Sequence, residues 1–173
     1  MPTGRPAETE YAPFYAKYVA LVPEADVLAA LEGQIDDFRR FAASVPAGRE
    51  GYRYAPGKWS VREVIGHLTD GERVFGYRAF SISRGEQQPL PSFDENLYVA
   101  QSAYDRVALA DLADELVMVR RANLAVMRRL EPAGWTRLGT ASGKPVSVRA
   151  LAHVMVGHPR HHLAILRERY GLS

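Results

Sequence analysis

Three of the chain's five histidines lie within residues 157–162, and their spacing suits the binding of a metal ion. His158 and His162 are four positions apart, which places their side chains on one face of a helix, one turn from each other. Two imidazoles in that arrangement can bind one divalent ion. His67 lies in an earlier helical pattern. We interpret His67, His158 and His162 as a candidate metal triad.

Three histidines form a ligand set with no charge of its own. Such neutral nitrogen ligands suit zinc, nickel, iron or manganese, and three of them leave coordination positions open for water or substrate. An open site is typical of catalytic metals, and an ion without anionic ligands strongly lowers the pKa of a bound water or thiol. The triad therefore predicts a metal-dependent enzyme that acts on a small molecule.

A structural role for the histidines stands beside this interpretation. A pair with H-x-x-x-H spacing also occurs where core carbonyls hydrogen-bond both rings, and His67 taken alone fits that role. Pro159 adds a second difficulty: it has no N–H and its ring clashes with the carbonyl of Met155, so the helix is expected to kink or restart there. A kink either aims His158 and His162 at the site or spoils their alignment.

The last helical pattern holds four histidines, and their positions around the helix separate them. His158 and His162 have apolar neighbours on their face, which predicts that both rings point into the interior. His153 falls on the opposite face and is predicted to be solvated. His161 lies at the edge of the apolar stripe and is less well aimed.

The helical pattern around His67 contains the other candidate site residues. Gly71 lies one turn after His67 and removes bulk beside it, which favours a cavity there. Arg78 lies on the same helix face. Asp70 and Glu72 are candidates to orient an imidazole through its second ring nitrogen, and helical geometry favours Asp70. Their alternative role is that of solvated acids on a helix surface.

The composition is that of one folded domain. Of 173 residues, 47% are hydrophobic and 24% are charged, which is typical of a globular protein. We expect residues 1–173 to form a single helical-bundle domain, with residues 1–22 as a lead-in segment that packs on the bundle. A net charge of +2 is too small to indicate a nucleic-acid partner. The absence of cysteine excludes disulfides and thiolate ligands, and the lack of an apolar leader or span predicts a cytoplasmic protein without a membrane partner.

Four long amphipathic patterns predict helices, at about residues 24–44, 60–84, 111–130 and 147–170. Ser60 and Glu63 form a capping box at the start of the second helix. Long links follow the first and second helices, and a small hairpin is predicted around Ser142 and Gly143. The predicted fold is an all-α four-helix bundle with long crossover links.

Several other side chains have structural interpretations. Asp94 is predicted to cap a short extra helix, and the acidic segment that it begins is a candidate wall of the site. The lead-in segment has an aromatic stripe that is predicted to pack it onto the bundle: Tyr11, Phe14, Tyr15 and Tyr18. The third helix carries arginines that are spread around its axis and are predicted to be solvated: Arg120, Arg121, Arg128 and Arg129.

Two stretches carry a family resemblance. Residues 58–73, KWSVREVIGHLTDGER, resemble the second-helix motif of the DinB-like (DinB/YfiT-like) metalloenzyme family. Residues 157–166, GHPRHHLAIL, resemble the fourth-helix motif of the same family. The similarity extends from about Tyr11 to the C-terminus, and the two motifs stand in the family's order. Relatives often have glutamate where this chain has Pro159.

The resemblance implies a four-helix bundle, commonly a homodimer, with a three-histidine metal centre in which His67, His158 and His162 are the ligands. Family activities include thiol S-transferases that use bacillithiol, mycothiol or glutathione, and thiol-dependent isomerases. The resemblance therefore implies transfer of a low-molecular-weight thiol to a small electrophile. The thiolate would supply the nucleophile that a cysteine-free chain lacks.

Arg78 is a candidate to bind a carboxylate of such a thiol cofactor, as arginine does bidentately. Its alternative roles are to extend to the end of the bundle or to pair with a buried acid. Three other functions remain open for the protein. They are a hydrolase that uses metal-bound water with the same ligands, a non-catalytic metal-binding stress-response bundle, and a helical interaction module with structural histidines that binds nucleic acid through its arginines.

Overall fold

The computed structural model describes residues 4–172, and four long helices dominate this part of the chain. They are α2 (Val27–Ser44), α3 (Val61–Ser83), α5 (Leu109–Met127) and α7 (Val148–Tyr170). The short helices are α1 (Ala16–Val19), α4 (Glu95–Gln101) and α6 (Pro132–Trp135), and 3-10 turns occur at Glu8–Glu10, Pro13–Tyr15 and Tyr104–Arg106. The prediction of an all-α four-helix bundle is confirmed. Residues 1–3 of the predicted lead-in segment, and residue 173, lie outside the described residues.

The order of the long helices around the bundle differs from their order in the chain. Helix α3 packs against α5 and α7, and α2 packs against the same two helices. The consecutive helices α2 and α3 are therefore diagonal to each other, as are α5 and α7, so their links cross an end of the bundle. Helices α3 and α7, which carry the predicted metal ligands, are direct neighbours. None of the described helices is a candidate for a membrane span.

Local capping defines where the helices begin. The capping box predicted at the start of α3 is confirmed: the Glu63 N–H donates to Ser60 Oγ at 3.1 Å, and the Ser60 N–H donates to the Glu63 carboxylate at 2.7 Å. Ser147 accepts a hydrogen bond from the Ala150 N–H at the start of α7. Asp94 caps α4 as predicted, because its carboxylate accepts hydrogen bonds from the backbone N–H groups of Asn96 and Leu97.

The predicted hairpin pairs two short antiparallel strands, β1 (Leu138–Ala141) and β2 (Lys144–Ser147). Its two turn residues have positive φ values, 53° at Ser142 and 70° at Gly143, as a tight two-residue hairpin turn requires. Leu90 hydrogen-bonds to this hairpin, donating to the Thr140 carbonyl and accepting from the Ser142 N–H. The link after α3 is thereby held against the turn.

The N-terminal segment lies along α7. Helix α1 packs against α7, and the carbonyl oxygen of Tyr18 approaches Gly157 so closely that a Cβ atom there would lie 2.0 Å from it. Only glycine permits this approach. Arg5 holds the same segment together by donating to the carbonyls of Val19 and Val22. The segment therefore covers α7 immediately before His158.

Helix α7 continues through Pro159, and the predicted restart of the helix is wrong. Proline leaves the carbonyl of Met155 without its usual N–H donor. Arg120 replaces this donor, because its Nη2 lies 2.8 Å from the Met155 oxygen. One residue further, Gln34 donates to the Val156 carbonyl at 2.9 Å. Side chains from α5 and α2 thus satisfy the carbonyls around the proline.

Arg120 is completely buried, so the prediction of a solvated side chain is wrong. Its guanidinium pairs with the Glu72 carboxylate through two hydrogen bonds, of 2.8 and 2.9 Å. It also donates to the Leu31 carbonyl and to the amide oxygen Oε1 of Gln34. With the bond to Met155, all five N–H groups of this arginine are used. The ion pair lies where all four long helices meet and ties them together.

Candidate metal centre

The structure brings His67, His158 and His162 together. His67 projects from α3, and the other two project from successive turns of α7. One ring nitrogen of each lies within 4.8 Å of those of the other two. The Nε2 atoms of His67 and His158 are 3.0 Å apart. His67 and His158 are buried, and His162 is partly buried.

This geometry is compatible with one divalent ion that contacts all three rings. Nitrogen ligands lie about 2.0–2.1 Å from zinc, so two of them in a tetrahedral site are about 3.3 Å apart. The nitrogen separations here, from 3.0 Å to at most 4.8 Å, bracket that value. Two buried imidazoles and a partly buried one, with few protein partners, are costly unless they share a ligand. The donor set therefore fits the predicted metal.

Gly71 makes the close approach of the two helices possible. A Cβ atom at this position would lie 2.9 Å from Cε1 and 3.1 Å from Nδ1 of His158. Gly71 was predicted to clear space beside His67, but the ring that needs the space is His158. The α3 backbone thus forms one wall of the His158 pocket.

Aromatic rings hold the imidazoles in place. Trp59 packs on His67 with ring centroids 4.6 Å apart, and Phe75 contacts His158 edge-on at 5.6 Å. Tyr18 contacts His158 at 5.4 Å. The Nδ1 atom of His67 is buried and has no hydrogen-bond partner within residues 4–172. The orientation of His67 is therefore set by packing rather than by a hydrogen bond.

Burial controls the protonation of the three rings. Desolvation lowers the pKa of His67 from 6.5 to about 4. It lowers the pKa of His162 to about 2, with a smaller contribution from the positive charge of His67. Desolvation, together with the neighbouring histidines, holds the pKa of His158 well below 6.5. All three rings are neutral near pH 7, which is the form that binds metal.

A cleft of about 390 Å³ opens onto the histidines. Its walls come from α3, α7, the N-terminal segment, the hairpin turn and the start of α4. The aromatic stripe of the N-terminal segment was predicted to serve packing alone. Tyr15 is buried, but Phe14, Tyr15 and Tyr18 also line the cleft. Glu95 of the predicted acidic wall lines it as well. Sequence reasoning missed the aromatic walls because packing and lining roles share one pattern.

Arg78 lines the same cleft and is only 2% exposed. Its guanidinium donates to the Tyr15 hydroxyl at 3.1 Å, the Pro91 carbonyl at 2.6 Å and Ser142 Oγ at 2.9 Å. No carboxylate in the described part of the chain pairs with it. Both structural alternatives for Arg78 are therefore wrong, since it neither extends into solvent nor pairs with a buried acid.

The predicted acid beside His67 has another role. Tyr104 donates a hydrogen bond of 2.7 Å to the Asp70 carboxylate. The partner of Asp70 is therefore a tyrosine outside the triad. Asp70 does not orient His67, contrary to prediction, since Nδ1 of His67 has no partner in residues 4–172. Glu72 serves the Arg120 ion pair instead.

His153 is buried, so its predicted solvation is wrong. Its Nδ1 lies 2.8 Å from the Arg149 carbonyl one turn earlier. Glu10 of the N-terminal segment pairs with the Arg149 side chain, which shows that this segment covers the face of α7 that bears His153. A pattern on one helix does not reveal that a distant segment will cover its polar side. His161 lines the cleft beside Tyr18 but lies outside the triad.

The chain belongs to the DinB superfamily, whose family model matches residues 30–166. The fold is similar to that of YfiT from Bacillus subtilis, described as a probable metal-dependent hydrolase with an unusual four-helix bundle topology. The TM-score is 0.73, with 20% identity over 95% of both chains. It is also similar to the mycothiol-dependent maleylpyruvate isomerase, with a TM-score of 0.62 and 17% identity over 82% of this chain and 60% of that one. No curated protein matches the chain.

Proposed function

We propose that this protein binds one divalent metal ion through His67, His158 and His162 and transfers a low-molecular-weight thiol to a small electrophile. The observation that carries the proposal is the convergence of three neutral imidazoles, from two neighbouring helices, at a cleft of about 390 Å³. A bound divalent ion would lower the pKa of a thiol or a water, so that either becomes a nucleophile near neutral pH.

The residues around the triad support a thiol as the activated group. The chain has no cysteine, so a thiol nucleophile must come from a cofactor. Glu95 is the one acid among the described residues that line the cleft, and its side chain is exposed. A free thiol, with a pKa of about 8.5, needs less help from a general base than water does. Aromatic side chains line the cleft, and with both substrates bound they would limit the access of water to the reacting pair, which favours transfer over hydrolysis.

A metal-dependent hydrolase is the second candidate. It is favoured by the description of YfiT as a probable metal-dependent hydrolase, since the similarity to that protein covers 95% of both chains. The same three neutral ligands suit this chemistry, because such a set also activates water at neutral pH. The two functions differ in one requirement, since the transferase needs an added thiol for turnover and the hydrolase does not.

Metal content is the first test. Tag-free protein is analysed by mass spectrometry for zinc, nickel, iron and manganese, beside the variants His67→Ala and His162→Ala. We expect near-stoichiometric metal in the wild type and loss of metal in both variants. His161→Ala is the matched control, because His161 lines the same cleft outside the triad and its variant should keep the metal. Little metal in the wild type after reconstitution would contradict the proposal.

Turnover then separates the two candidates. The metal-loaded protein is mixed with an aromatic halide as electrophile and with bacillithiol, mycothiol or glutathione, and separately with ester substrates without thiol. Thiol-dependent conjugation that is lost in His162→Ala supports the transferase. Ester cleavage without added thiol supports the hydrolase. We further propose that the protein acts in the cytoplasm as a homodimer, and light scattering after gel filtration tests the dimer.

A further inference from the structure

Arg78 is a buried cation that forms no ion pair with any of the described residues. Its side chain is 2% exposed, and its three hydrogen-bond partners are a hydroxyl, a carbonyl and a second hydroxyl. A buried charge without a counter-ion is costly, and proteins normally pair such a group or leave it unburied. Within residues 4–172 no acid pairs with Arg78. The missing counter-ion is therefore expected to come from outside the chain.

Arg78 retains hydrogen-bonding capacity for a ligand. A guanidinium carries five N–H groups, and three of those of Arg78 donate to described residues. Two N–H groups, one on Nη1 and one on Nε, have no acceptor in the described chain. Nε and Nη1 lie on different edges of the planar guanidinium, so each vacant N–H can donate a single hydrogen bond to an oxygen of a ligand. Because the donors belong to a cation, they form stronger hydrogen bonds to an anion than to a neutral acceptor, which favours an anionic ligand.

The surroundings fix the guanidinium in one orientation. Tyr15 holds it from the N-terminal segment, Pro91 from the link after α3, and Ser142 from the hairpin turn. Ser142 adopts a φ of 53°, a left-handed conformation that non-glycine residues rarely adopt, and its hydroxyl accepts from Arg78. The Phe93 ring centroid lies 5.8 Å from the guanidinium carbon. Three separate chain segments therefore position one cation on the cleft wall.

We propose that Arg78 binds a carboxylate of the molecule that occupies the cleft, so that the triad acts on an anionic ligand. This inference rests on the proposed function in one respect, that the cleft in front of the triad is the substrate site. Lys17 adds a second positive charge at the cleft, and Glu95 adds one negative charge, both on exposed side chains. With Arg78 the cleft carries a net positive charge before any metal binds.

The first experiment measures anion binding without metal. Metal-free full-length protein is titrated with succinate and with its uncharged analogue succinamide, and dissociation constants are obtained by ligand-observed NMR. We expect wild-type protein to bind succinate about ten-fold more tightly than succinamide, since a hydrogen-bonded charge pair contributes on that order. Arg78→Met should bind both ligands equally, and Arg78→Lys should keep part of the preference. Equal binding of the two ligands by the wild type would overturn the proposal without any variant.

Lys17→Met is the matched control, because it removes the other cation of the cleft from an exposed position. It should keep most of the preference for succinate, since exposed charges contribute little. Loss of the preference in Lys17→Met but not in Arg78→Met would assign the effect to the general charge of the cleft and overturn the proposal for Arg78.

The second experiment locates the carboxylate. Zinc-loaded protein is titrated with 3-mercaptopropionate and with its methyl ester, which carry the same thiol and differ in charge. An Arg78-dependent preference for the acid places the carboxylate on the thiol partner. A preference for succinate alone places it on the second substrate, and either result supports anion recognition by Arg78. If the protein binds no zinc but the succinate preference depends on Arg78, the proposed function fails, while the recognition of a carboxylate by Arg78 stands.

Discussion

Two arginines of this bundle are equally buried and yet have opposite surroundings. Arg120 lies among all four long helices, and its five N–H groups all have acceptors, two of them on the Glu72 carboxylate. Arg78 lies where α3 meets the N-terminal segment and the hairpin, with three neutral acceptors and no acid. The charge of Arg120 is balanced inside the protein, so its role is structural. The charge of Arg78 is balanced by nothing within residues 4–172, so its role is directed at a ligand.

The same contrast applies to the polar groups around them. In the Arg120 network, Asn123 also donates to Glu72, and Gln34 serves both Arg120 and the Val156 carbonyl. At the cleft, Nδ1 of His67 is buried without a partner. A buried network with every donor satisfied rigidifies a core, whereas an unsatisfied polar atom at a cleft is available to a bound molecule.

The largest expected effect is the difference in unfolding free energy between substitutions of Arg120 and of Arg78. Arg120→Met leaves the Glu72 carboxylate buried and unpaired, which is expected to cost about 3–5 kcal/mol. Arg78→Met leaves no acid behind and removes an uncompensated charge, but it also removes three hydrogen bonds, so we expect a smaller cost of about 1–2 kcal/mol. Urea denaturation followed by circular dichroism measures both. Arg121→Met, exposed on the same helix as Arg120, is the control and should change stability by less than about 0.5 kcal/mol. Equal costs for the two buried arginines would remove the distinction between them.

A smaller effect, on zinc affinity, is expected from a substitution of Gly71 beside the candidate metal centre. Gly71→Ala places a methyl group 2.9 Å from the His158 ring and must displace one ligand of the proposed centre. We expect zinc affinity to fall about 10–100-fold, as it does when the orientation of a ligand is disturbed. Competition with a zinc-binding dye measures the affinity. Gly33→Ala on α2 is the control, since a methyl group there meets no atom within 4 Å and should leave zinc affinity unchanged. Full affinity in Gly71→Ala would show that His158 is not a ligand.

The buried histidines at the cleft should also make the stability of the metal-free protein sensitive to acid. Burial lowers the folded-state pKa of His67 to about 4, below the value of 6.5 that the unfolded chain has. Between these values the unfolded state binds more protons, so stability is fully present above about pH 6.5 and falls as the pH falls towards 4. The loss for His67 is on the order of 1 kcal/mol per pH unit. Denaturation at several pH values should show this slope, and His67→Ala should reduce it. An unchanged slope in that variant would contradict the assignment.

The smallest expected effect is on unfolding free energy and concerns the Met155 carbonyl, which Pro159 leaves without a backbone N–H donor. In Pro159→Ala the residue at 159 regains an N–H, which can donate to the Met155 carbonyl in place of Arg120. The cost of Arg120→Met should therefore be smaller in the Pro159→Ala background, by about 1 kcal/mol. A double-mutant cycle of unfolding free energies measures this coupling. A coupling energy near zero would mean that the contact between Arg120 and Met155 does not compensate for the proline.

Local sequence signals predicted much of this fold because they act within a few residues. Ser60 and Glu63 satisfy each other's N–H groups at the start of α3, and the spacing of His158 and His162 places them on one face whatever surrounds the helix. The apolar periodicity located four helices to within a few residues of their observed ends. The predictions failed where the outcome depends on partners far away in the chain. Burial of His153 depends on Glu10 and the N-terminal segment, and the burial of Arg120 depends on Glu72.

The sequence by itself determined the helices, their caps and the choice of two histidines on α7, because hydrogen bonds and apolar periodicity are short-range effects. Only the tertiary structure decided that His67 meets those two histidines, through the packing of α3 on α7 and the space at Gly71. It also decided which arginine is neutralised. Desolvation and charge pairing depend on every segment that reaches a residue, and no local pattern contains that information.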